Sequence, residues 1–389
     1  MHRAGMKIAL PSFRRVTTSG TFLPEIDGLR FVAIFAVIAI HVYGYWVAEA
    51  DRRYAEMSGY DRGLRAVIEL GDYGVHLFFA ISGFVLAMPF CRHAFSGGKP
   101  VDLPRYFLRR LTRLEPPYVI SMILFFFTMP LFGKGTLADL FPHLLASLGY
   151  VHNIVYGCGS LINNNAWSLE VEVQFYLLMP LLAAALWLPA WPRRLLCCGA
   201  MVAFSLHSLW LPKGFPESIM QYAQYFLGGI LLCDLWTNHW TASRPSLPND
   251  LVGIGAIAAF AWVNIRHAGL VADIANPWLI LAFFYAALRG RLHSACLSWG
   301  WIPIIGGMCY SIYLLHARVI AVLVHGCLSK LALLGSFALD YPILLTACLP
   351  AILIVSGLFF LLVERPCMNP AWPARSEEHT SELQSRVDI

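Results

Sequence analysis

The chain has few charged residues for its length. Asp, Glu, Lys and Arg make up 13% of its 389 residues, whereas 58% are hydrophobic and 14% are aromatic. A chain so poor in charge cannot give several soluble domains their usual water-facing surfaces, so that class of protein is excluded. The composition is typical of a protein that crosses a membrane several times.

Paired cysteines and a cleavage site are also missing. The ten cysteines show no CxxC pattern and no metal-ligand spacing with histidine, so we expect no metal site, bound cofactor or disulfide framework.

Residues 1–28 are polar and basic, and the apolar segment after them lacks a small-residue cleavage site. This pattern predicts a cytoplasmic N-terminus followed by an uncleaved signal anchor. The net charge of +5 forms no basic stripe of the kind that binds nucleic acid.

Apolar runs of about 20 residues, enough to cross a hydrocarbon core of roughly 30 Å, recur along the chain. They predict an all-α, polytopic membrane helix bundle with about 10 transmembrane helices. The expected spans are 29–48, 73–90, 117–134, 167–188, 194–211, 219–236, 250–267, 276–289, 304–326 and 342–363. A shorter run at 137–151 contains Pro142 and His143 and is expected to be interfacial or re-entrant. The Lys/Arg distribution places both termini in the cytoplasm, with the protein in the cell inner (cytoplasmic) membrane.

The first span carries the pair that organises the functional prediction. Arg30 and His41 are eleven positions apart, about three helical turns, so both point from one face, about 16 Å apart along the axis. A polar side chain inside the membrane is costly unless it faces protein or a water-filled cavity. His41 is therefore a functional candidate, and a histidine that only bonds a neighbouring helix is the alternative.

The second span offers another histidine and two small residues. Ser82 and Gly83 permit close helix contact, and packing is the role that we expect of them. His76, near the outer end of this span, could share a polar cavity with His41, although a histidine at an interface is often only solvated.

Two carboxylates enter the fourth span after Trp167. Glu170 and Glu172 lie about 200° apart on a helix, so they cannot both face water. If Glu172 faces inward, its depth falls within about one or two helical turns of His41. In the ninth span Tyr313, His316 and Arg318 also need polar partners at membrane depth.

The loop before the third span is the most basic part of the chain. Arg109, Arg110 and Arg113 would make a compact cationic patch on a helix. One interpretation is a clamp for a phosphorylated cytoplasmic donor, because arginine binds phosphate in a bidentate fork. The other is a topology signal that contacts anionic lipid headgroups.

Six motifs in order carry a resemblance to a known family. They are DGLR with the Arg30 and His41 pair, GVHLFFAISGF at 74–84, RRLTR with Pro116 and Tyr118, WSLEVEVQFY at 167–176, YSIYLLH at 310–316, and Glu364-Arg365-Pro366. Over residues 23–366 the chain resembles the acyltransferase-3 family of integral membrane acyltransferases. This family includes O-acetylases of bacterial lipopolysaccharide, peptidoglycan and other surface sugars.

The resemblance implies a function and a set of site residues. The expected domain, 29–366, would move an acyl group, usually acetyl, from cytoplasmic acyl-CoA to a hydroxyl of a surface carbohydrate or its lipid-linked precursor. Acyl-CoA is thus a co-substrate, and membrane lipid and the glycan are the other partners. The implied catalytic residues are Arg30, His41 and Glu172, with the arginines of RRLTR binding the donor. Supporting candidates are Asp27, His76, Ser82, Trp167, Tyr313 and His316.

Two positions depart from the family pattern. Val173 stands where a second acid is frequent, and His76 stands where Asp is common, so the hydrogen bonds around both positions are in question. Without the resemblance, the same membrane-embedded His, Arg and Glu would also suit a transporter or flippase of lipid-linked glycans with a proton relay. Such a transporter would consume no acyl-CoA.

The C-terminal tail, 367–389, follows the last of the six motifs. Its stretch 375–385 resembles the translation of a sequencing-adapter oligonucleotide, and we expect it to be an assembly artefact that does not belong to the fold.

Overall fold

The computed structural model describes residue 13 and residues 22–53, 57–211, 216–240, 244–266, 269–326, 334 and 336–368. Most of the predicted N-terminal segment and the suspected adapter stretch 375–385 lie outside the described residues. Within them the chain is helical, apart from one isolated bridge between Ser246 and Gly290. The prediction of an all-α, polytopic bundle is therefore confirmed.

The described residues form sixteen α-helices. They are α1 (Pro24–Arg53), α2 (Gly59–Glu69), α3 (Tyr73–Ser96), α4 (Leu103–Thr128), α5 (Leu137–Leu148), α6 (His152–Tyr156), α7 (Ala166–Leu182), α8 (Ala190–Trp210), α9 (Ile219–Leu235), α10 (Leu247–Ile265), α11 (Leu270–Arg289), α12 (Arg291–Leu297), α13 (Ile302–Gly307), α14 (Cys309–Gly326), α15 (Phe337–Phe359) and α16 (Arg365–Cys367). Tighter turns extend α4 and α7 over Met129–Phe132 and Ala183–Trp187.

Eight helical segments of the described chain are long and apolar enough to cross a membrane. They are Pro24–Trp46, Gly59–Ser96, Leu103–Phe132, Ala166–Trp187, Leu247–Ile265, Leu270–Arg289, Cys309–Gly326 and Phe337–Cys367. Eight of the ten predicted spans coincide with these segments. The other two, 194–211 and 219–236, coincide with α8, which opens near Arg193 and Arg194, and with α9, which is only 17 residues long.

Helix α5 does not cross the membrane. It has 12 residues, a length of about 18 Å, and it packs beside α4 in the opposite direction. Phe141, near its start, faces Phe126, and Ser147, near its end, accepts a hydrogen bond from the Tyr118 hydroxyl at 2.8 Å. The chain thus turns back along α4 over this short helix, and whether 137–151 is interfacial or re-entrant stays a prediction. As a result α7 begins inside the bundle.

Glycines bring α1 and α3 close to their neighbours. A side chain at Gly74 of α3 would collide with the Ala33 carbonyl of α1, and one at Gly306 of α13 would collide with the Asp27 carbonyl. In the same way, the lack of a side chain at Gly83 of α3 and at Gly229 of α9 lets these two helices approach each other closely. Such close backbone approach is how membrane helices gain contact area without a hydrophobic driving force.

Candidate active site

Helix α1 holds the two residues that the sequence placed on one face. Arg30 donates from one of its terminal nitrogens to the Asp27 carboxylate at 2.5 Å, one helical turn away. Both side chains are largely buried, with 13% and 3% of their surfaces exposed. The pair lies near the end of the bundle that carries residue 24, and Asp27 compensates the buried guanidinium charge.

His41 lies about three turns further along α1. Its Nδ1 lies 2.7 Å from the Val37 carbonyl oxygen. A carbonyl can only accept, so Nδ1 carries the proton in the neutral ring and Nε2 has a free lone pair. The fold therefore holds His41 in the tautomer that a proton acceptor at Nε2 requires.

A second histidine packs edge-on against His41. The ring centroids of His41 and His316 are 4.9 Å apart at an interplanar angle of 88°. His316 is fully buried, and its Nδ1 donates to the carbonyls of Ile312 and Tyr313, both at 2.9 Å. Its Nε2 faces the Asn165 amide nitrogen at 3.4 Å. Both nitrogens of His316 are thus engaged, whereas His41 Nε2 makes no hydrogen bond to any residue that the structure describes, so His41 is the histidine of this pair that has a nitrogen available for chemistry.

Tyr313 ties α14 to the start of α7 beside these rings. Its hydroxyl lies 2.6 Å from the Ser168 hydroxyl and donates to the Asn165 carbonyl at 3.1 Å. The Asn163 side chain also donates across this interface, to the Leu314 carbonyl at 3.1 Å. These bonds fix the wall behind His316 and position Asn165 against it.

Glu172 lies deeper in the bundle than this wall, on the side of Arg30. It follows Asn165 by seven residues, roughly 10 Å along α7. Its carboxylate accepts a hydrogen bond from the Ser82 hydroxyl at 2.5 Å and lies within electrostatic range of Arg30 and Arg110. Ser82, expected to serve packing, is thus a hydrogen-bond donor, whereas Gly83 beside it has the packing role.

The three arginines of α4 do not form one patch. Arg110 stacks on the Tyr106 ring, with its guanidinium carbon 3.5 Å from the centroid, and on the Tyr176 ring at 5.7 Å. Arg113 is half-buried beside it, whereas Arg109 is exposed. In the described part of the chain the Nε atoms of Arg110 and Arg113 are buried without a hydrogen-bond partner. These two guanidiniums have unused donors next to Glu172.

Two other supporting candidates lie apart from His41. The His76 ring packs against Tyr73 and Tyr225, with centroids 4.9 and 4.5 Å away, in a separate pocket. Trp167 packs against Tyr222, with centroids 5.4 Å apart. His76 therefore does not share the wall that His316 forms beside His41, and Asp72 lines the pocket together with His76.

Two buried carboxylates have partners that sequence reasoning missed. Glu364, of the Glu364-Arg365-Pro366 motif, is 1% exposed and accepts hydrogen bonds from the Ser311 amide at 3.0 Å and the Ser311 hydroxyl at 2.5 Å. Glu170 is fully buried and accepts from the Asn153 amide at 2.9 Å. The YS and ERP motifs, which hold Ser311 and Glu364, were visible in the sequence, but nothing local to either motif indicated that they meet.

Comparison with known proteins adds to this geometry. Residues 23–361 match a family model described as an acyltransferase domain. The peptidoglycan O-acetyltransferase OatA of Listeria monocytogenes is 26% identical over 342 residues, 79% of this chain and 51% of that protein. The acyltransferase MdmB of Streptomyces mycarofaciens is 25% identical over 389 residues, 89% of this chain and 92% of that protein.

The O-acetyltransferase OatA of Staphylococcus aureus is 26% identical over 336 residues, 78% of this chain and 51% of the relative. The chain thus spans about half the length of its OatA relatives. No solved structure matches it. The family model extends over most of the chain and includes α1, the arginines of α4 and the histidine of α14, so the resemblance seen in six motifs is confirmed and this chain belongs to the acyltransferase-3 family.

Proposed function

We propose that this protein is a membrane O-acyltransferase that moves an acyl group, acetyl in the simplest case, from cytoplasmic acyl-CoA to a hydroxyl of a cell-surface carbohydrate or its lipid-linked precursor. The observation that carries the proposal is the orientation of His41, whose Nδ1 is bonded to the Val37 carbonyl and whose Nε2 has no hydrogen-bond partner among the described residues. Family membership and relatives named O-acetyltransferases support the reaction class.

The donor is expected to enter from the end of the bundle that carries residue 24. CoA carries phosphates, and Arg110 and Arg113 have buried donor atoms without partners in the described part of the chain. A guanidinium fork binds phosphate in two parallel hydrogen bonds. Stacking on Tyr106 fixes the plane of the Arg110 fork before the donor arrives.

Arg30 is assigned to the middle of the donor path. It lies about 16 Å from His41 along α1, so it does not reach atoms that react at Nε2. The distance instead suits contact with the pantetheine arm that leads to the thioester. The Glu172 carboxylate lies within electrostatic range of both Arg30 and Arg110. Its negative charge partly balances their positive charges along this path.

The chemical step is a direct transfer. His41 Nε2 takes the proton of the acceptor hydroxyl as its oxygen forms a bond to the thioester carbonyl carbon. The carbon–sulfur bond then breaks, and the departing CoA sulfur takes this proton from the His41 imidazolium, which gives the free thiol and restores the neutral ring. The Val37 carbonyl orients the His41 ring for this step.

The test is transfer of radiolabelled acetyl from acetyl-CoA in membranes that contain the full chain. We expect alkali-labile label in surface carbohydrate, because an O-ester is cleaved by mild base. His41→Ala should reduce the label to background, since no other described group supplies a free imidazole nitrogen there. His207→Ala is the matched control, because His207 is an exposed histidine on α8.

Retained transfer in His41→Ala would contradict the assignment of the base. If the intact protein consumes no acyl-CoA in membranes that hold surface glycans, the transferase proposal is wrong, and the transporter or flippase hypothesis takes its place.

A further inference from the structure

A second pocket lies between the starts of α3, α9 and α11, at the end of the bundle opposite to residue 24. Its volume is about 280 Å³, close to the lower bound of roughly 300 Å³ for small-molecule sites. Of the site residues predicted from the sequence, His76 alone lines it. The proposed transfer assigns no role to the residues of this pocket.

The charge of the pocket restricts what can enter. Glu69, Asp72 and Asp273 line it, and its lining in the described part of the chain includes no lysine or arginine. Glu69 is ion-paired with Arg65 at 3.1 Å, so Asp72 and Asp273 supply the net negative charge of the cavity. Two carboxylates around one small cavity repel phosphate and other anions and favour a neutral or cationic ligand. The pocket is therefore unsuited to the CoA donor.

A buried amide in the wall has an unfilled hydrogen bond. Gln224 is 4% exposed, and its Nε2 donates to the Gln221 carbonyl at 2.8 Å. That bond identifies the other amide atom as the oxygen, and Oε1 has no partner among the described residues. A buried acceptor left unsatisfied costs about 1–3 kcal/mol. A ligand hydroxyl or amine that donates to Oε1 would remove this cost.

Aromatic rings form the rest of the wall. Tyr73 and Tyr225 line the pocket on either side of His76. Rings beside carboxylates and amides match a sugar, whose ring offers an apolar face and whose edge offers hydroxyls. A flat aromatic ligand would leave the carboxylates and the amide oxygen without donors.

The pocket adjoins the helix that carries His41. Asp72 lines it and lies within electrostatic range of His41. On either side of Asp72 and Tyr73, Gly71 and Gly74 approach α1 closely enough that a side chain would collide with the carbonyls of Ala36 and Ala33. This contact holds the pocket edge at a fixed place beside the reacting histidine.

We propose that the pocket lined by Asp72, Gln224 and Asp273 binds a neutral or amine-bearing sugar residue of the acceptor and presents its hydroxyl toward His41. The proposal rests on the proposed function, because it names the acceptor class for the same transfer. Asp72 and Asp273 accept from hydroxyls or an ammonium group, and Gln224 Oε1 accepts from a third donor. An amino sugar binds more tightly than its neutral analogue, and a sugar phosphate is excluded.

Equilibrium dialysis of the full chain in detergent, without acyl-CoA, tests the binding step alone. Radiolabelled glucosamine is the probe, with methyl glucoside and glucose 6-phosphate as competitors. We expect saturable binding that methyl glucoside displaces weakly and glucose 6-phosphate does not displace. Gln224→Leu and Asp273→Asn should each weaken binding by about tenfold or more, since each removes one acceptor and the second also removes a charge. Asp139→Asn is the matched charge control, because Asp139 is exposed at the start of α5.

Several results would overturn the proposal. They are an absence of saturable glucosamine binding, equal displacement by the sugar phosphate, or unchanged binding in both pocket variants. The transfer assay separates this proposal from the proposed function. Sugar binding that depends on Gln224 without any acetyl transfer would contradict the function alone. Transfer with an unchanged acceptor KM in both variants would contradict the pocket alone.

Discussion

At the scale of single residues, the arginines of α4 differ in what surrounds them. Arg110 lies between two tyrosine rings and donates to the Tyr106 carbonyl at 2.7 Å, whereas Arg109 is exposed. An exposed arginine at a membrane edge meets water and lipid headgroups. A stacked and half-buried arginine is placed to contact a ligand that enters the bundle.

Arg110→Lys should raise the KM for acetyl-CoA about tenfold, because lysine keeps the charge but loses both the planar stack and the fork that binds phosphate. Kinetics of label transfer at varied acetyl-CoA measure this change. The kcat is expected to fall less, since the substitution is distant from His41.

Arg109→Lys is the control for Arg110, and its KM should stay close to that of the parent protein. Equal effects of the two substitutions would mean that the three arginines act as one patch after all, as the sequence alone suggested.

Much of the site can be predicted from spacing along one helix. The eleven-residue interval fixed Arg30 and His41 on one face, and the cost of burying a polar group singled out His41. The contacts of Glu172 with Ser82 and of Glu364 with Ser311 could not be predicted, because each joins two helices far apart in the chain. Their motifs indicate that the residues matter, but periodicity within a helix says nothing about which helices are neighbours.

At the scale of the elements, the contact of α3 with α9 depends on glycine. A side chain at Gly83 would meet the carbonyl group of Phe226, and one at Gly229 would meet that of Ala80. Both contacts are with backbone, which cannot rotate away. The helices that carry Ser82 and Gln224 are therefore held together at their closest point.

Gly83→Ala should destabilise the protein by about 1–3 kcal/mol, the usual cost of overpacking a close contact. Heating the detergent-solubilised protein and following the loss of monodisperse material by size exclusion measures the shift.

Gly255→Ala is the matched control, because a side chain there meets nothing within 4 Å. It should not lower the midpoint, since alanine favours a helix over glycine by up to about 1 kcal/mol. A similar loss in both variants would show that the α3 to α9 contact has no special role.

The position of the short helix α5 depends on the helix against which it packs. Its length and Pro142 excluded a crossing helix, but the sequence left interfacial and re-entrant arrangements open. The position of α5 beside α4 follows from its contacts with Tyr118 and Phe126. Those contacts are tertiary, so no local signal could have decided it.

At the scale of the whole molecule, the proposed reaction requires a defined orientation. Donor arginines lie toward the end that carries residue 24, and the sugar pocket lies toward the other end. The excess of Lys and Arg predicts that the first of these ends is cytoplasmic.

Two single-cysteine variants in a cysteine-free background test this orientation. Lys99→Cys lies in the exposed turn between α3 and α4, and Tyr60→Cys replaces a side chain that is 88% exposed at the start of α2. A membrane-impermeant maleimide should label Tyr60→Cys in intact cells and label Lys99→Cys only after permeabilisation.

Labelling after detergent treatment is the control for both positions. The reverse pattern in intact cells would place the donor arginines outside and would exclude cytoplasmic acyl-CoA as their ligand.

The helix class and most span positions of the whole molecule were accessible from hydropathy alone, because crossing a hydrocarbon core dictates length and apolarity. The assignment weakened at α8 and α9, where Arg193 and Arg194 lower the hydropathy of one helix and shortness limits the other. Arg193 is tolerated there because it pairs with Asp234 at 2.8 Å, a partner on a different helix. A hydropathy scale lowers the score of a helix for every charged residue, whether or not that residue is paired with an opposite charge in the fold.

The bond from His41 to the Val37 carbonyl has a consequence for how this enzyme family can change over evolutionary time. The carbonyl oxygen that sets the tautomer of His41 belongs to the main chain. A substitution at position 37 therefore removes this hydrogen bond only if it breaks the helix. Side chains of the proposed sugar pocket can vary without altering the nitrogen of His41 that accepts the proton. New acceptor specificities can therefore arise by changes around α3, α9 and α11 while the transfer chemistry is inherited intact.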